Sequence, residues 1–319
     1  YPMQYDVFNG DADGICALLQ LRQTYPCESH LVSGVKREID LLKYVSSNSE
    51  DQVTVLDISL DKNRTYLKNI LINNSTVLYV DHHFAGEIPT NKNLTVVIDE
   101  SANVSTSALM NKYLSGSRPL WAAVGSYGDN LRDLAMEHTA SCDLSADQNM
   151  LLEELGTYIN YNGYGETLSD LNFTPQELFR LLEPYDSPFD FISDCSFYFQ
   201  KLKQSYENDF SKALLQKPER ATKTSQVYIL PNQSWSKRIV GVFSNHLANK
   251  NPNVAHAVLI KNSARAFMVS VRAPKNRKFG ASDLCRQFPS GGGRKAAAGI
   301  NDLDESLLPN FISKFEEMY

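Results

Sequence analysis

The first hundred residues alternate between short apolar runs and longer segments with a helical pattern. The apolar runs are YDVF (5–8), VTVL (53–56), VLYV (77–80) and VVI (96–98). They lack clean alternation, which is typical of parallel strands buried on both faces. Helical patterns lie between them, at 14–24, 36–44 and 62–73. This order predicts right-handed β-α-β crossovers and an α/β fold with an N-terminal parallel sheet.

The pattern changes after residue 100, where helical segments such as SALMNKYL and QNMLLEELGTYIN replace the strands. An aromatic and then charged helical segment follows and ends in the polar run QKPERATKTSQ, which is typical of a linker. The order strand, helix, strand, strand then predicts a second, smaller α/β domain of ordinary size. We therefore predict a metal-binding catalytic domain at 1–186, a helical linker at 187–224 and a substrate-binding domain at 225–319.

Composition narrows the range of partners. The chain has 319 residues, a net charge of -6 and a sequence pI near 5.6, so it lacks the basic excess of proteins that coat long nucleic acid. A small anion can still be held locally by a metal and a few arginines. We expect no membrane partner, because no run is as long as a membrane span and no charged-then-apolar leader is seen. Five cysteines without paired spacing indicate reduced thiols and a cytoplasmic location.

Acidic residues follow each of the four predicted strands. Asp11 and Asp13 follow the first, Asp57 the second, Asp81 with two histidines the third, and Asp99 the fourth. Ligands of parallel sheets collect at the carboxyl ends of the strands. The candidate metal ligands are Asp11, Asp13, Asp57, His82 and Asp129. Oxygen ligands with one imidazole favour Mn²⁺ or Mg²⁺ over structural zinc, which prefers thiolates.

Each of these features also has a purely structural interpretation. The D-x-D-G of residues 11–14 is equally typical of a calcium-type turn or a helix cap. Asp57 alone is more typical of a cap, and Asp99 is assigned as one because several helix N-cap candidates follow it. A triple glycine is commonly a flexible loop, and Arg272 fits an exposed strand charge. The functional interpretation depends on these residues occurring together.

The ordered motifs GDADG, VLDIS, VDHH, YGDN and GGGRKAAAG resemble the DHH–DHHA1 phosphoesterase family over nearly the whole chain. The resemblance implies two bound divalent cations, usually Mn²⁺ with Mg²⁺ as an alternative, and hydrolysis of phosphoesters. It assigns the five candidate ligands to the ions, with Asp57 bridging them. It also implies that His83 faces the substrate phosphate and that Asp81 orients the imidazoles as an acceptor.

The chain departs from the family pattern at two places. Val7 stands where many relatives carry a histidine ligand, and Asn9 stands where some carry aspartate. We therefore include Asn9 as a further candidate ligand through its amide oxygen. Arg294 stands where relatives often have histidine after the glycines, and arginine offers a bidentate grip on phosphate.

The predicted substrate site lies in the C-terminal domain. Its candidate residues are Arg272, Gly291, Gly292, Gly293, Arg294 and Lys295. Glycines let backbone amides approach an anion closely, and the arginine and lysine side chains add positive charge. Because no basic channel or additional nucleic-acid-binding domain is expected, the resemblance implies the nano-RNase branch, whose members take part in RNA degradation.

The expected reaction is hydrolysis of short linear oligoribonucleotides to 5′-mononucleotides, best on 5′-phosphorylated dinucleotides such as pGpG. The alternatives are hydrolysis of cyclic dinucleotides or 3′-phosphoadenosine 5′-phosphate, and a nucleotide sensor without catalysis. Relatives often dimerise, so a homodimer is a further expectation.

Overall fold

The computed structural model describes residues 1–262 and 265–319, which divide into two compact units, Tyr1–Lys203 and Gln204–Tyr319. Each unit contains its own sheet. The predicted boundaries at 186 and 224 stay a prediction. Across the described ranges, no helix is long and apolar enough to cross a membrane.

The sheet of the first unit is parallel, as the apolar runs predict. Its strands in the described residues are β1 (Gln4–Phe8), β2 (His30–Val32), β3 (Gln52–Leu56), β4 (Thr76–Asp81) and β5 (Leu94–Ile98), in the order β2-β1-β3-β4-β5. Buried Val53, Val55 and Tyr79 belong to the apolar core on one face. The α/β fold with a parallel sheet is therefore confirmed. The short β2 was not predicted, because its three residues are exposed or half-buried and form no apolar run.

Nine helices follow or separate these strands along the described residues up to position 213. They are α1 (Ala12–Thr24), α2 (Leu60–Ile72), α3 (Thr106–Tyr113), α4 (Pro119–Gly128), α5 (Arg132–Thr139), α6 (Ala146–Gly163), α7 (Pro175–Leu182), α8 (Pro188–Asp194) and α9 (Ser196–Ala213). Leu41–Tyr44 and Leu168–Asp170 form short 3-10 turns. The helices begin at side-chain caps where the sequence offers them, as at Ser105 before α3 and Ser145 before α6.

The helix predicted at 36–44 is wrong except for the 3-10 turn Leu41–Tyr44. The backbone amide of Lys36 donates to Gly163 O (2.7 Å), and the carbonyl of Lys36 accepts from Asn9 Nδ2 (3.1 Å). Tertiary partners thus take the backbone groups at the start of the predicted helix. These long-range hydrogen bonds outweigh the weak helical preference of the local sequence.

The second unit has a mixed sheet and follows the predicted order of elements. Its described strands are β6 (Arg220–Ala221), β7 (Ser225–Leu230), β8 (Ala255–Lys261), β9 (Ala266–Arg272), β10 (Gly291–Gly293) and β11 (Ala297–Asp304), in the order β10-β11-β9-β8-β7-β6. The β7–β8 pair is parallel and the other pairs are antiparallel. Its helices are α10 (Ser234–Lys250), α11 (Ala281–Cys285) and α12 (Leu308–Met318), with a 3-10 turn at Glu305–Leu307. Phe311 and Phe315 of α12 are buried in its apolar core.

Candidate metal centre

His82 follows strand β4 directly and is buried at the centre of a group of carboxylates. Its Nδ1 lies 2.6 Å from the carbonyl oxygen of Val104. A carbonyl can only accept, so Nδ1 carries the proton and the lone pair of the neutral ring is on Nε2. Nε2 lies 3.4 Å from Asp13 Oδ2, 3.1 Å from Asp57 Oδ1 and 3.4 Å from Asp129 Oδ2. One imidazole lone pair thus faces three carboxylates.

Strand ends and helix ends place these acids. Asp11 is the N-cap of α1, where its Oδ1 accepts from Gly14 N (3.0 Å), and Asp13 lies in the first turn. Asp57 directly follows β3 with a φ of 63°, a left-handed conformation that costs free energy for a non-glycine residue. Asp129 follows helix α4, and not a strand. The acids of the cluster therefore come from the ends of both strands and helices.

The start of helix α3 holds two of the acids and was not among the predicted parts of the site. The carboxylate of Asp13 accepts from Thr106 N (2.9 Å) and Ser107 N (2.7 Å). Thr106 Oγ1 donates to Asp57 Oδ1 (3.0 Å). Backbone amides at a helix N-terminus favour negative charge, so α3 fixes the acids without neutralising them. The run of Ser105, Thr106 and Ser107 before a helical segment was the available signal.

The electrostatics of the cluster fit a divalent cation. Burial raises the pKa of Asp13 well above its ordinary value, and repulsion from Asp57 and Asp129 raises it further. Burial and the neighbouring Asp11 likewise raise the pKa of Asp57. No described residue donates a hydrogen bond to the buried Oδ2 of Asp57. Ionised carboxylates packed this closely are stabilised by a cation, and this donor set suits a hard divalent ion.

Two groups of side chains could hold such an ion, and they share one histidine. The first comprises Asp13, His82 and Asp129, and the second comprises Asp57, His82 and His83. Within each group the ligand atoms lie within 4.8 Å of one another. Among the described residues, Asp11 belongs to neither group.

His83 lies beside the cluster and is oriented by Asp81. Its Nδ1 is 2.6 Å from Asp81 Oδ1, and 14 % of the side chain is exposed. Burial lowers the pKa of His83 although Asp81 opposes that shift. Burial would raise the pKa of Asp81, but His83 and His82 outweigh it and the pKa is lowered. A neutral His83 that donates from Nδ1 presents a lone pair at Nε2.

Asn9 and Lys36 border the cluster on the side of Asp11. Asn9 Oδ1 accepts from Asp11 N (3.1 Å), so the amide oxygen already has a partner, and Asn9 as a metal ligand stays a prediction. Lys36 Nζ forms an ion pair with Asp11 Oδ2. Burial lowers the pKa of Lys36, but the negative charge of Asp11 and of the other nearby acidic groups outweighs burial and raises the pKa. Lys36 was not among the predicted site residues, because its sequence pattern indicated a helix.

Two side chains fix the loop after the histidines. Ser59 Oγ donates to Phe84 O (2.8 Å), and Arg64 Nη2 donates to Ala85 O (2.7 Å). Arg64 Nη1 also donates to Glu87 O. Asp99, at the end of the neighbouring strand, instead caps its own turn by accepting from Ser101 N (2.9 Å).

The candidate substrate residues of the second unit lie around one end of its sheet. Arg272 ends β9 and pairs with Ala297 of β11, and Arg294 N donates to Ala297 O (2.8 Å). Arg272 Nε donates to Asn245 Oδ1 (2.8 Å) and Nη1 to Val271 O (3.2 Å). Both of these acceptors are neutral, so neither hydrogen bond compensates the positive charge of the guanidinium.

The three glycines form an edge strand of the sheet in the described residues, and packing explains two of them. A Cβ on Gly291 would lie 1.7 Å from Cys285 O, and a Cβ on Gly293 would lie 2.5 Å from Ala298 Cα. Gly293 also has a φ of 143°. Lys295, in the following turn, is exposed and accepts a hydrogen bond from Ala281 N through its carbonyl (3.0 Å). An edge strand presents alternate amides outward, so anion binding by this strand stays a prediction.

The DHHA1 domain family matches residues 223–319. The C-terminal part of the chain is a DHHA1 domain. The solved structure of exonuclease RecJ bound to manganese is similar at 18 % identity and a TM-score of 0.58, covering 99 % of this chain and 89 % of that one. The DHH domain of a protein assigned to a family of ribosomal proteins gives 11 % identity, a TM-score of 0.62 and coverages of 99 % and 86 %.

A third similar structure is the pGpG-specific phosphodiesterase PggH from Vibrio cholerae, at 11 % identity, a TM-score of 0.51 and coverages of 97 % and 99 %. No curated protein matches the chain by sequence. At these identities the likeness shows the fold alone. The chain thus combines the fold of DHH proteins with a DHHA1 domain.

Proposed function

We propose that the chain is a metal-dependent phosphodiesterase that hydrolyses short linear oligoribonucleotides to 5′-mononucleotides. Its best substrates are 5′-phosphorylated dinucleotides such as pGpG. The observation that carries the proposal is the position of His82 Nε2 among the carboxylates of Asp13, Asp57 and Asp129. The similar folds of a manganese-bound exonuclease and a pGpG-specific phosphodiesterase support this class of reaction.

Asp13, Asp57, His82 and Asp129 are the residues that would hold the divalent ion, with Mn²⁺ preferred and Mg²⁺ as the alternative. When bound, such an ion polarises a phosphoryl oxygen and lowers the pKa of water. The first turn of α3 keeps Asp13 and Asp57 in place through Thr106 and Ser107. The site residues therefore need little rearrangement when the ion binds.

His83 is the proposed catalytic group that moves a proton. Asp81 holds Nδ1, which leaves Nε2 as the atom that takes a proton from attacking water or, once protonated, donates to a phosphoryl oxygen. Ser59 and Arg64 hold the loop that follows His83 through hydrogen bonds to its backbone carbonyls. His83 keeps 14 % of its side chain exposed, so a substrate can reach it.

The proposed contact for the 5′-phosphate of the substrate is the guanidinium pair of Arg272 and Arg294. The acceptors of Arg272, Asn245 and Val271, are neutral and do not compensate its positive charge. Two guanidinium groups bind a terminal phosphate, which carries more charge than a linking phosphate, through charge-assisted hydrogen bonds. The net charge of -6 disfavours long RNA, because each added nucleotide brings a further negative phosphate that the protein repels.

The test is incubation of pGpG with the purified full chain and Mn²⁺, with GMP measured over time. We expect GMP to form, EDTA to stop the reaction and excess Mn²⁺ to restore it. A series of 5′-phosphorylated RNAs from two to seven nucleotides then measures length preference, with the dinucleotide expected to be cut fastest.

The same assay separates the competing functions. Comparable rates on cyclic and linear dinucleotides would replace the proposed substrate with a cyclic one, since a cyclic dinucleotide has no terminal phosphate. Faster release of phosphate from 3′-phosphoadenosine 5′-phosphate would favour that substrate. Binding of pGpG without any GMP would indicate a nucleotide sensor and overturn the proposed activity.

A further inference from the structure

The two candidate ligand groups compete for the same nitrogen atom. Both include His82, whose Nδ1 proton is held by Val104 O and whose lone pair is on Nε2. One lone pair binds one ion. The groups around Asp13 and around Asp57 therefore cannot each use His82 for a separate ion, and a carboxylate oxygen of Asp13, Asp57 and Asp129 each lies within 3.4 Å of that one nitrogen.

Asp11 is the remaining predicted carboxylate ligand, and its carboxylate is already engaged. Its Oδ1 accepts from Gly14 N, which caps helix α1, and its Oδ2 pairs with the ammonium of Lys36. An ion binding at Asp11 would meet the positive charge of Lys36 at short range. Two like charges in a partly buried site repel strongly.

The position of Lys36 is built into the fold. Its amide donates to Gly163 O (2.7 Å) and its carbonyl accepts from Asn9 Nδ2 (3.1 Å). The same Asn9 side chain accepts from Asp11 N (3.1 Å), so one amide group ties the backbones at Lys36 and Asp11 together. The Lys36 side chain is 22 % exposed, while that of Asp11 is fully buried. The backbone of Lys36 is thus held close to Asp11, and its ammonium forms the ion pair with Asp11 from there.

We propose that Lys36 serves as a built-in cation of this centre. The centre then binds one divalent ion tightly, at Asp13, Asp57, His82 and Asp129, and the Lys36 ammonium occupies the position next to Asp11 that a second ion would take. This inference rests on the metal centre of the proposed function, and it is independent of which substrate is hydrolysed.

The test counts Mn²⁺ ions bound to the metal-stripped full chain by calorimetric titration and by elemental analysis after dialysis. We expect one tight ion per wild-type chain, and two for Lys36→Met, with the affinity for the second ion raised by at least about tenfold because the repelling charge is gone. Electron paramagnetic resonance should show an isolated Mn²⁺ in the wild type and an exchange-coupled pair in the variant.

Two control variants separate charge from packing. Lys36→Arg keeps a cation beside Asp11 and should still bind one ion. Lys43→Met removes a lysine from an exposed ion pair with Asp40 and should also leave the count at one. Lys36→Gln replaces the ammonium by a neutral polar group. It serves as the second neutral variant if Lys36→Met folds poorly.

The outcomes distinguish this inference from the proposed function. Two ions of similar affinity in the wild type would overturn it, whether or not pGpG is cut. One ion in both neutral variants would also overturn it. One ion in the wild type and two in the neutral variants would support it even if no GMP forms. Absence of Mn²⁺ binding would overturn both the inference and the metal centre.

Discussion

The candidate metal centre of the first unit and the glycine–arginine segment of the second unit (residues 291–295) both stand out in the sequence, but their residues are used differently in the structure. At the centre, buried acids repel one another, and Asp57 adopts a left-handed backbone conformation. In the glycine–arginine segment, Gly291 and Gly293 pair within a sheet and are required by close packing.

This difference shows which region carries the stronger argument for function. Acids that repel one another in a buried site cost stability, and the donors at the start of α3 offset that cost without neutralising the charges. Glycines that relieve a clash stabilise the fold and need no ligand to explain them. The candidate metal centre therefore carries the stronger physical argument for a function, and a role of the glycine–arginine segment depends on its arginines.

The variant Asp57→Asn should have the largest effect on the metal centre. It keeps the size of the side chain but removes one ligand charge, so Mn²⁺ binding should weaken and kcat/KM on pGpG should fall by about a thousandfold. The metal-free variant should be at least as stable as the parent, because a repelling buried charge is gone. Asp99→Asn is the control, since Asp99 also follows a strand but only caps its own turn. Equal losses in both variants would contradict the special role of Asp57.

The variant Gly291→Ala tests the packing explanation of the second unit. Its Cβ would meet the carbonyl oxygen of Cys285, so we expect a loss of about 3 kcal/mol in the free energy of unfolding. Trp235 belongs to the second unit and Trp121 to the first, so fluorescence of the protein carrying Trp121→Phe reports on the second unit alone. Unchanged stability with lost preference for 5′-phosphate would instead show that the glycine acts on the substrate.

The variant Arg294→Ala tests whether the same segment binds phosphate. Loss of a charge-assisted contact should reduce the preference for 5′-phosphorylated over unphosphorylated dinucleotides by about ten- to a hundredfold, or about 1.5–3 kcal/mol. Binding of Mn²⁺ should not change. Arg286→Ala is a matched control, because Arg286 pairs with Asp283 on the surface of the same unit. If the preference survives in Arg294→Ala, the glycine–arginine segment has only a structural role.

A smaller effect is expected from low pH on the stability of the second unit. His256 is fully buried in β8, opposite Arg272 of β9, and burial lowers its pKa to about 4. The unfolded chain takes up a proton near pH 6.5, so stability is complete above that pH and falls as pH drops towards 4. We expect a loss of about 2 kcal/mol by pH 5.

The measurement is denaturant unfolding followed by Trp235 fluorescence at pH 7 and pH 5. His256→Leu should remove this pH dependence, whereas His30→Leu, at an exposed site in the first unit, should leave it in place. An unchanged pH dependence in His256→Leu would assign it to other groups.

Much of the centre could be predicted because its signals are local in sequence. A buried parallel strand reads as a short apolar run, and the acid that follows it is adjacent in the chain. Asp13, Asp57 and His82 were predicted as candidate ligands in this way, and the structure places both carboxylates within 3.4 Å of His82 Nε2. Asp129 was also found, although it follows a helix.

The partners that orient these residues could not be predicted, because they are distant in sequence. Val104 lies twenty-two positions from His82, and Thr106 lies ninety-three from Asp13. Local patterns carry no record of such pairings, which form only when the chain folds. Lys36 is the clearest case, since its local pattern predicted a helix.

The sequence by itself determined the alternation of strands and helices and the kinds of side chain at the strand ends, since burial and chain order impose them locally. Only the tertiary structure decided how those side chains are used. It gave Asp57 a left-handed backbone and set the His82 tautomer through Val104. It also placed the ammonium of Lys36 against Asp11, because Asn9 and Gly163 hold its backbone there.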